Sequence, residues 1–501
     1  MKLKKYSNVI KVGLATSILS IPGYTGVMKA YGEPIKENEP NFLFILIDDL
    51  GWKDLGCMGS DYYETPNIDK FSKEGVLFTN AYAPAANCAP SRACIISGQN
   101  TPRHGIYTVA NSDRGDARCR RLVPHPNNVT LPDENLTFAE ALKAKGYRTA
   151  SIGKWHVGED PCTQGIDVNI GGSHAGHPKS YISPYRNKNL TDGPKGEYLT
   201  DRLTREAMNF MESSKDQPFC LYLPYYTVHT PLQGKKELIE KYKRKGGKPG
   251  QDNASYAAMV ECADANIGLL LKKLDQLGLR ENTFVVLFSD NGGLAGISSQ
   301  QPLRAGKGSY YEGGIREPLI IRWPRKIKGG WVSDEPVSGL DFYPTFLDVA
   351  DMEKPASKVL DGESLLPLLT NKKHLKRKAL YWHFPIYLQG VNPLRDQARD
   401  PLFRTRPGSV IRMGDWKLHE YFEDGALELY NLKKDQGETN NVAKTYPGKT
   451  KKLLKKLRSW RNNIKAPVPS ELNPKFDSEF ETEASQRRIK KFESKIHGKQ
   501  E

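Results

Sequence analysis

Apolar residues run without alternation from Phe42 to Ile47 in "NFLFILIDDLGW" and stop at two adjacent acids, Asp48 and Asp49. An unbroken apolar run of this length predicts a strand covered on both faces, as in a parallel sheet. The pattern returns in "TFVVLFSDNGG", where a buried strand of about Phe284 to Phe288 runs into Asp290 and Asn291. Two core strands thus deliver carboxylates or amides at their carboxyl ends. Between them the periods alternate. "TFAEALKAKG" reads as a helix closed by Gly146, "YRTASIG" as a strand, "LTDRLTREAMNFMESS" as a helix, "PFCLYLPYY" as a strand, and "SYAAMVECADANIGLLLKKLDQLG" as a helix. Strands alternating with crossover helices predict an α/β fold with a large, mostly parallel central sheet flanked by helices. Ligands of such sheets sit outside the carboxyl ends of the strands.

From about residue 375 the pattern changes. "ALYWHFP", "GSVIRMGDWKLHEYF" and "ALELYNL" are short aromatic strands joined by turns, and the helical "YPGKTKKLLKKLRSWRNNI" follows. They predict a smaller C-terminal antiparallel sheet plus one helix. The chain thus divides into a leader over 1–30, an α/β domain over 40–375, an α+β subdomain over 376–466, and a charged tail over 467–501 expected to be partly ordered. A length of 501 residues suits this division, because single cores stop growing at roughly 250–300 residues.

The leader places Lys2, Lys4 and Lys5 ahead of a mostly apolar stretch from Val12 to Ile21 and then small residues, the layout of a secretory signal peptide. The expected localisation is periplasmic or secreted. Beyond it no apolar run nears the ~20 residues of a membrane-spanning helix, so no membrane span is expected. The net charge of +16 suits a polyanionic partner, because a basic surface steers anions toward it. Much of the excess sits in "KTKKLLKKLRSWR" and "RRIKKFESK", and charge alone favours nucleic acid no more than a sulfated or phosphorylated glycan. The 7 cysteines, at 57, 88, 94, 119, 162, 220 and 262, lack zinc-ligand spacing; in an oxidising compartment six could pair, leaving one over.

Neighbouring strand residues point to opposite faces, so Asp48 and Asp49 converge only if the chain turns, which Leu50-Gly51 would allow. The same holds for Asp290 and Asn291 ahead of Gly292-Gly293. Together they offer a hard-oxygen set suited to calcium or magnesium, although helix caps and turn-forming acids share such patterns. In "IGKWHVG", Lys154 and His156 lie two apart just past a strand and would project to one side if extended, a pairing for an anion or a proton relay. His229 follows another apolar strand in "LPYYTVHTPL", and Lys307 sits between glycines in "RAGKGSYYEGGIREP", where the backbone can approach a ligand closely.

These motifs, in order with "CAPSRACIISG", resemble the type I sulfatase family of the alkaline phosphatase superfamily. The resemblance runs from about Asn41 to Ala350, and "GDWKLHEY…LELYNLKKDQGETNN" is similar to that family's C-terminal subdomain. It implies an alkaline phosphatase-like fold and hydrolysis of sulfate esters. It implies that Cys88 is oxidised to formylglycine by a separate maturation enzyme, and that the hydrated aldehyde is both the nucleophile and the means of expelling sulfate. Asp48, Asp49, Asp290 and Asn291, with an oxygen on the modified Cys88, would hold calcium. Arg92 would hold the hydrate and the metal shell, Lys154 and Lys307 would neutralise sulfate oxygens, His156 would take the proton that triggers sulfate release, and His229 would protonate the leaving alcohol.

The substrate expected from family analogy and basic charge is a sulfated carbohydrate, a galactose or N-acetylgalactosamine sulfate first, rather than nucleic acid. "GGSHAGHPKSYISPYRN" offers His174, His177 and Arg186 as substrate-binding candidates, and "TPRHGIYT" offers Arg103 and His104. The rival readings are a phosphonate or phosphate ester hydrolase of the same superfamily and a non-catalytic glycan-binding relative.

Overall fold

The computed structural model describes residues 39–497, so the segment read as a signal peptide lies outside the described residues. The main sheet is built from β1 (Asn41–Ile47), β2 (Val76–Tyr82), β3 (Arg148–Ile152), β4 (Val168–Ile170), β5 (Phe219–Pro224), β6 (Thr283–Ser289), β7 (Arg316–Arg322), β8 (Trp331–Ser333) and β9 (Val337–Ser338). Their order is β4-β3-β5-β1-β6-β7-β2-β8, with β9 beside β2. Neighbours are parallel except at β7, which runs antiparallel to both β6 and β2.

The unbroken apolar run of β1 follows from its central place between β5 and β6. Its alternate side chains serve two different cores: Leu43, Ile45 and Ile47 pack on one face of the sheet, Phe42, Phe44 and Leu46 on the other. The first face is covered by the helix Ala254–Gln276 through Ala257, Ala258 and Val260. The second is covered by the helix Phe342–Val349, whose Phe342 ring meets Phe44 at 5.1 Å. A strand with both faces buried has no polar face to show, which is why its pattern does not alternate.

The smaller sheet joins β10 (Leu380–Phe384), β13 (Gly408–Met413), β14 (Trp416–Tyr421) and β15 (Leu427–Asn431), all antiparallel, and a two-stranded ribbon pairs β11 (Leu388–Gln389) with β12 (Phe403–Thr405). The helix Pro447–Asn463 seats Leu453 and Leu457 on Ile411, Leu418 and Leu429. A buried ion network ties the two parts. Lys417 of β14 lies 2.9 Å from Glu312, just ahead of β7, and 3.0 Å from Glu438.

Two expectations change here. The tail read as partly ordered carries a helix, Ser478–His497, and folds back on both the subdomain and the large domain. Arg406 reaches Glu481 at 2.6 Å, and Arg118 lies 3.5 Å over the Phe480 ring. Those anchors are single side chains in a polar stretch, which no periodic pattern reveals. All seven cysteines are free rather than paired. Cys94 and Cys220 are spent on the core, and Cys262 meets Asp201 instead of a sulfur. No described helix is long and apolar enough to cross a membrane.

Candidate active site

The carboxyl ends of β1, β3, β5 and β6 open onto one edge of the sheet, and antiparallel β7 starts at that same edge. This is the crevice that open α/β sheets use for ligands. Asp48 and Asp49 leave β1, Asp290 and Asn291 leave β6, Lys154 and His156 follow β3, His229 follows β5, and Lys307 precedes β7. Cys88 opens the helix Cys88–Ser97, which follows β2 and is buried along its whole length.

The turn that lets Asp48 and Asp49 converge is made by Asp49 itself, in the left-handed region at φ 62, rather than by Leu50-Gly51. That conformation is costly for a side chain with a Cβ and persists only where the surroundings hold it. Here they do. The Asp49 N–H donates to Asp290 Oδ1 at 3.2 Å, Asn291 Nδ2 donates to Asp49 Oδ1 at 2.8 Å, and Lys307 Nζ grips both carboxylate oxygens at 2.6 and 2.8 Å. Burial would raise the Asp49 pKa, but Lys307 and then His229 hold it well below the usual carboxylate range.

Lys154 and His156 are not on an extended chain as their spacing suggested. β3 ends at Ile152, Gly153 turns at φ 121 with its Cα against the Pro224 carbonyl, and His156 is itself left-handed at φ 66. Lys154 Nζ meets Asp48 Oδ2 at 2.6 Å, both fully buried. Arg92, one turn along the helix from Cys88, donates through Nε to Asp290 Oδ2 at 2.8 Å and through Nη1 to the Lys154 carbonyl at 2.8 Å. One arginine thereby joins two strand ends to the helix. Burial lowers its tendency to stay charged, yet Asp290 and then the other acids keep its pKa above the ordinary arginine value.

The polar accounting leaves specific atoms over. Asp48 Oδ1, Asn291 Oδ1, Arg92 Nη2 and His156 Nδ1 are buried without a hydrogen-bond partner. Buried polar atoms are rarely left orphaned without a missing ligand, ion or water to account for them. Two of these are hard oxygen donors of the set expected for a divalent cation, so the residues fit one. Three carboxylates, Asp48, Asp49 and Asp290, face three cations, Arg92, Lys154 and Lys307. By formal charge the set balances, and a divalent cation would leave it positive for an anionic ester. Without such an ion, burial pushes the Asp48 carboxyl up to about 8 despite Lys154.

A sulfatase family profile spans residues 40–352, and a profile described as N-sulphoglucosamine sulphohydrolase, C-terminal, spans 306–463. The chain belongs to the sulfatase family. A sulfatase of Formosa agariphila is 32% identical over 93% of this chain and 95% of its own length. The N-acetylgalactosamine-6-sulfatase of Mus musculus is 31% identical over 74% of this chain and 72% of its own. Among solved structures, Ps i-CgsB in complex with k-i-k-neocarrahexaose superposes with a TM-score of 0.69 at 29% identity, covering 87% of this chain and 95% of that one. The fold is the alkaline phosphatase-like α/β fold, and the chain is a sulfuric ester hydrolase.

His229 of this sulfatase donates through Nδ1 to the Thr230 carbonyl at 2.7 Å, since a carbonyl can only accept. Nε2 therefore faces the cluster, 3.6 Å from Asp49 Oδ2. Burial, with Lys307 next, lowers its pKa to about 3, so the ring is neutral before substrate arrives. Asp48, Asp49 and His229 also place three ligand atoms within 4.8 Å of one another, which gives His229 a second possible role as a metal ligand. His156 is neutral too: burial and then Lys154 lower its pKa well below the ordinary histidine value.

The candidate recognition residues divide. His177 stacks on His229 at 6.2 Å, and His174 meets His156 edge-on at 6.1 Å. Gly176 roofs His156, where a Cβ would fall 2.6 Å from Nε2. His174 and His177, together with Arg186, Lys179 and Glu159, line a cleft of about 370 Å³. Arg103 and His104 are not brought there. Arg103 is engaged by Asp361 at 2.7 Å, and His104 is buried against the Cys94 thiol at 3.4 Å. Sequence reasoning missed Glu317, which enters the core on β7 with both carboxyl oxygens buried and unpartnered. Burial, with Asp290 next, drives its pKa well above the carboxylate range, so it stands behind the cluster as a neutral acid. It lay inside the quoted "GGIREP", but a lone glutamate in a strand pattern carries no chemical signature.

Proposed function

We propose that the protein is an exported, calcium-dependent sulfatase that removes sulfate from a carbohydrate, with Cys88 converted to formylglycine by a maturation enzyme. The observation that carries the reading is the cluster of three carboxylates and three cations at the strand ends, with Cys88 at the head of the helix that also bears Arg92. A bound calcium would supply Lewis acidity through Asp48, Asp49, Asp290 and Asn291, polarising the ester and lowering a hydroxyl pKa. Formylglycine would supply a nucleophile whose second hydroxyl allows sulfate to be expelled.

The chain's own residues do the rest. Arg92, on the helix that Cys88 opens, and Lys307, whose neighbour Gly308 donates its N–H to the Ala86 carbonyl at 2.8 Å, orient the anionic ester against Cys88. Lys154 and Lys307 stabilise charge that grows on the non-bridging oxygens. His156, neutral and with a free ring nitrogen, accepts the proton that accompanies sulfate release. His229 Nε2 faces the cluster and donates a proton to the departing sugar oxygen, taking that proton up as the anionic substrate offsets Lys307.

The relatives named N-acetylgalactosamine-6-sulfatase support a galactose or N-acetylgalactosamine sulfate as the substrate, with His174, His177 and Arg186 on the sugar. Sulfate release from a panel of sulfated mono- and disaccharides by the calcium-loaded protein tests the reading. Release from a galacto-configured sulfate is expected. Faster hydrolysis of an aryl phosphonate than of the matched aryl sulfate would overturn it.

A further inference from the structure

Two arginines without any chemical signature in the sequence come together beside Lys307. Residues 112–115 run along the β11–β12 ribbon: the Tyr387 N–H donates to the Ser112 carbonyl at 2.9 Å, and Asp113 bridges to Tyr387. Gly115 then lies on the Phe403 ring, where a Cβ would come within 2.6 Å of Cε1. This fixes Arg114 next to the strand that carries Arg404. The same strand, β12, also clasps the Lys307 loop. Arg404 Nη1 donates to the Lys307 carbonyl at 2.9 Å, and Thr405 Oγ1 donates to the Gly308 carbonyl. Lys307 reaches Asp49 from that loop, so Arg404 stands at the rim of the catalytic cluster.

Neither arginine has an acid. Arg404 donates only to backbone carbonyls, of Gln389 and Lys307, and Arg114 makes no hydrogen bond or ion pair among the described residues. Both are half-buried. Several other guanidinium groups here are paired with acids, Arg92 with Asp290, Arg377 with Asp341, Arg406 with Asp400, Glu423 and Glu481, and two that are not, Arg304 and Arg412, lie over the Tyr311 and Tyr82 rings. Taking a guanidinium out of water without a counter-charge is costly, and burial lowers the pKa of both Arg114 and Arg404. For Arg404, Asp396 opposes that shift and the neighbouring Arg114 charge adds to it. Two like charges held together at the edge of a site, one with a wholly unused fork, are a receptor for an anion.

We propose that Arg114 and Arg404 form a second anion subsite, which takes a sulfate or carboxylate group on the carbohydrate other than the ester being cleaved. The preferred substrate then carries at least two anionic groups, an inference that rests on the carbohydrate sulfatase reading above. The C-terminal subdomain, through Arg404, selects the substrate that the large domain cleaves.

The test is a competition against hydrolysis of 4-nitrophenyl sulfate in wild type, Arg114→Gln and Arg404→Gln. Competitors are N-acetylgalactosamine 6-sulfate, its 3,6- and 4,6-disulfates, and the chondroitin 6-sulfate disaccharide, whose uronate replaces the second sulfate by a carboxylate. The readout is the ratio of inhibition constants for singly and doubly anionic ligands within each protein, so a general loss of activity cancels. Wild type is expected to favour one doubly anionic ligand at least tenfold, and each variant to bring that ratio near one. The preferred ligand says whether sulfate or carboxylate is the second group. Equal binding of all ligands by wild type, or an undiminished preference in both variants, would overturn the subsite. Failure to hydrolyse 4-nitrophenyl sulfate would count instead against the sulfatase reading, and titration calorimetry with the same ligands would still decide the subsite.

Discussion

Lys307 and Asp49 form a two-point ion pair, Nζ 2.6 Å from Oδ1 and 2.8 Å from Oδ2, across a sequence separation of 258 residues. It joins the end of β1 to the loop ahead of β7 and holds Asp49 in its left-handed turn. Lys307→Met keeps the stem and removes the charge. We expect kcat/KM on an aryl sulfate to fall by about 10²–10³-fold, the range for losing one donor to a developing oxyanion. A loss under threefold would mean that Lys307 only holds Asp49.

Removing divalent cations should abolish turnover and lower the melting temperature. Asp48 Oδ1 and Asn291 Oδ1 then have no partner, and Asp48 drifts up to about 8 under burial. A ligand bound only by the native state stabilises it by mass action, about 2.7 kcal/mol at a hundredfold excess over Kd. Differential scanning calorimetry with chelator and then added calcium checks this. A melting temperature indifferent to calcium would contradict an oxygen site at these strand ends.

His229→Ala separates the two roles its geometry permits. If Nε2 protonates the leaving oxygen, sugar sulfates lose about 10²–10⁴-fold, while an aryl sulfate with a good leaving group loses far less. If His229 is chiefly a metal ligand, both substrates suffer equally and calcium affinity drops. The ratio of kcat/KM values for 4-nitrophenyl sulfate and a sugar sulfate decides between them.

Acid should destabilise the fold through histidines remote from catalysis. His104 and His383 are fully buried, and burial lowers each pKa to about 3. Their unfolded pKa lies near 6.5, so between those values the unfolded chain binds protons that the native chain refuses, and stability falls as pH falls. Each contributes up to about 1.4 kcal/mol per pH unit in that window. Urea unfolding at pH 7 and pH 5 should show a smaller loss for His104→Leu than for wild type, whatever the variant's stability at pH 7. An equal loss would remove His104 from the account.

Much of the site was legible because its residues sit at strand ends. Continuous apolar runs located β1 and β6, and the acids that follow them had to emerge at one edge of a parallel sheet. Less legible was how they converge. Asp49 and His156 adopt left-handed backbones, which their residue types favour over most but do not dictate, and the Lys-x-His spacing pointed to an extended chain that is not there. Arg103 and His104 matched a ligand's composition but are engaged by Asp361 and Cys94, contacts made across the fold. Glu317, Arg114 and Arg404 went unseen for the converse reason: what marks them is a missing partner, and absence has no sequence signature.

In the proposed mechanism Cys88 acts as formylglycine. The most direct test measures the mass of the Cys88 peptide in preparations that differ in exposure to a formylglycine-generating enzyme, alongside sulfate release from one substrate. Conversion lowers the peptide mass by about 18 Da, as cysteine's SH and one H give way to a carbonyl oxygen. Turnover should rise in proportion to the converted fraction and vanish at zero conversion. Equal turnover from protein whose Cys88 is wholly unmodified would contradict the account.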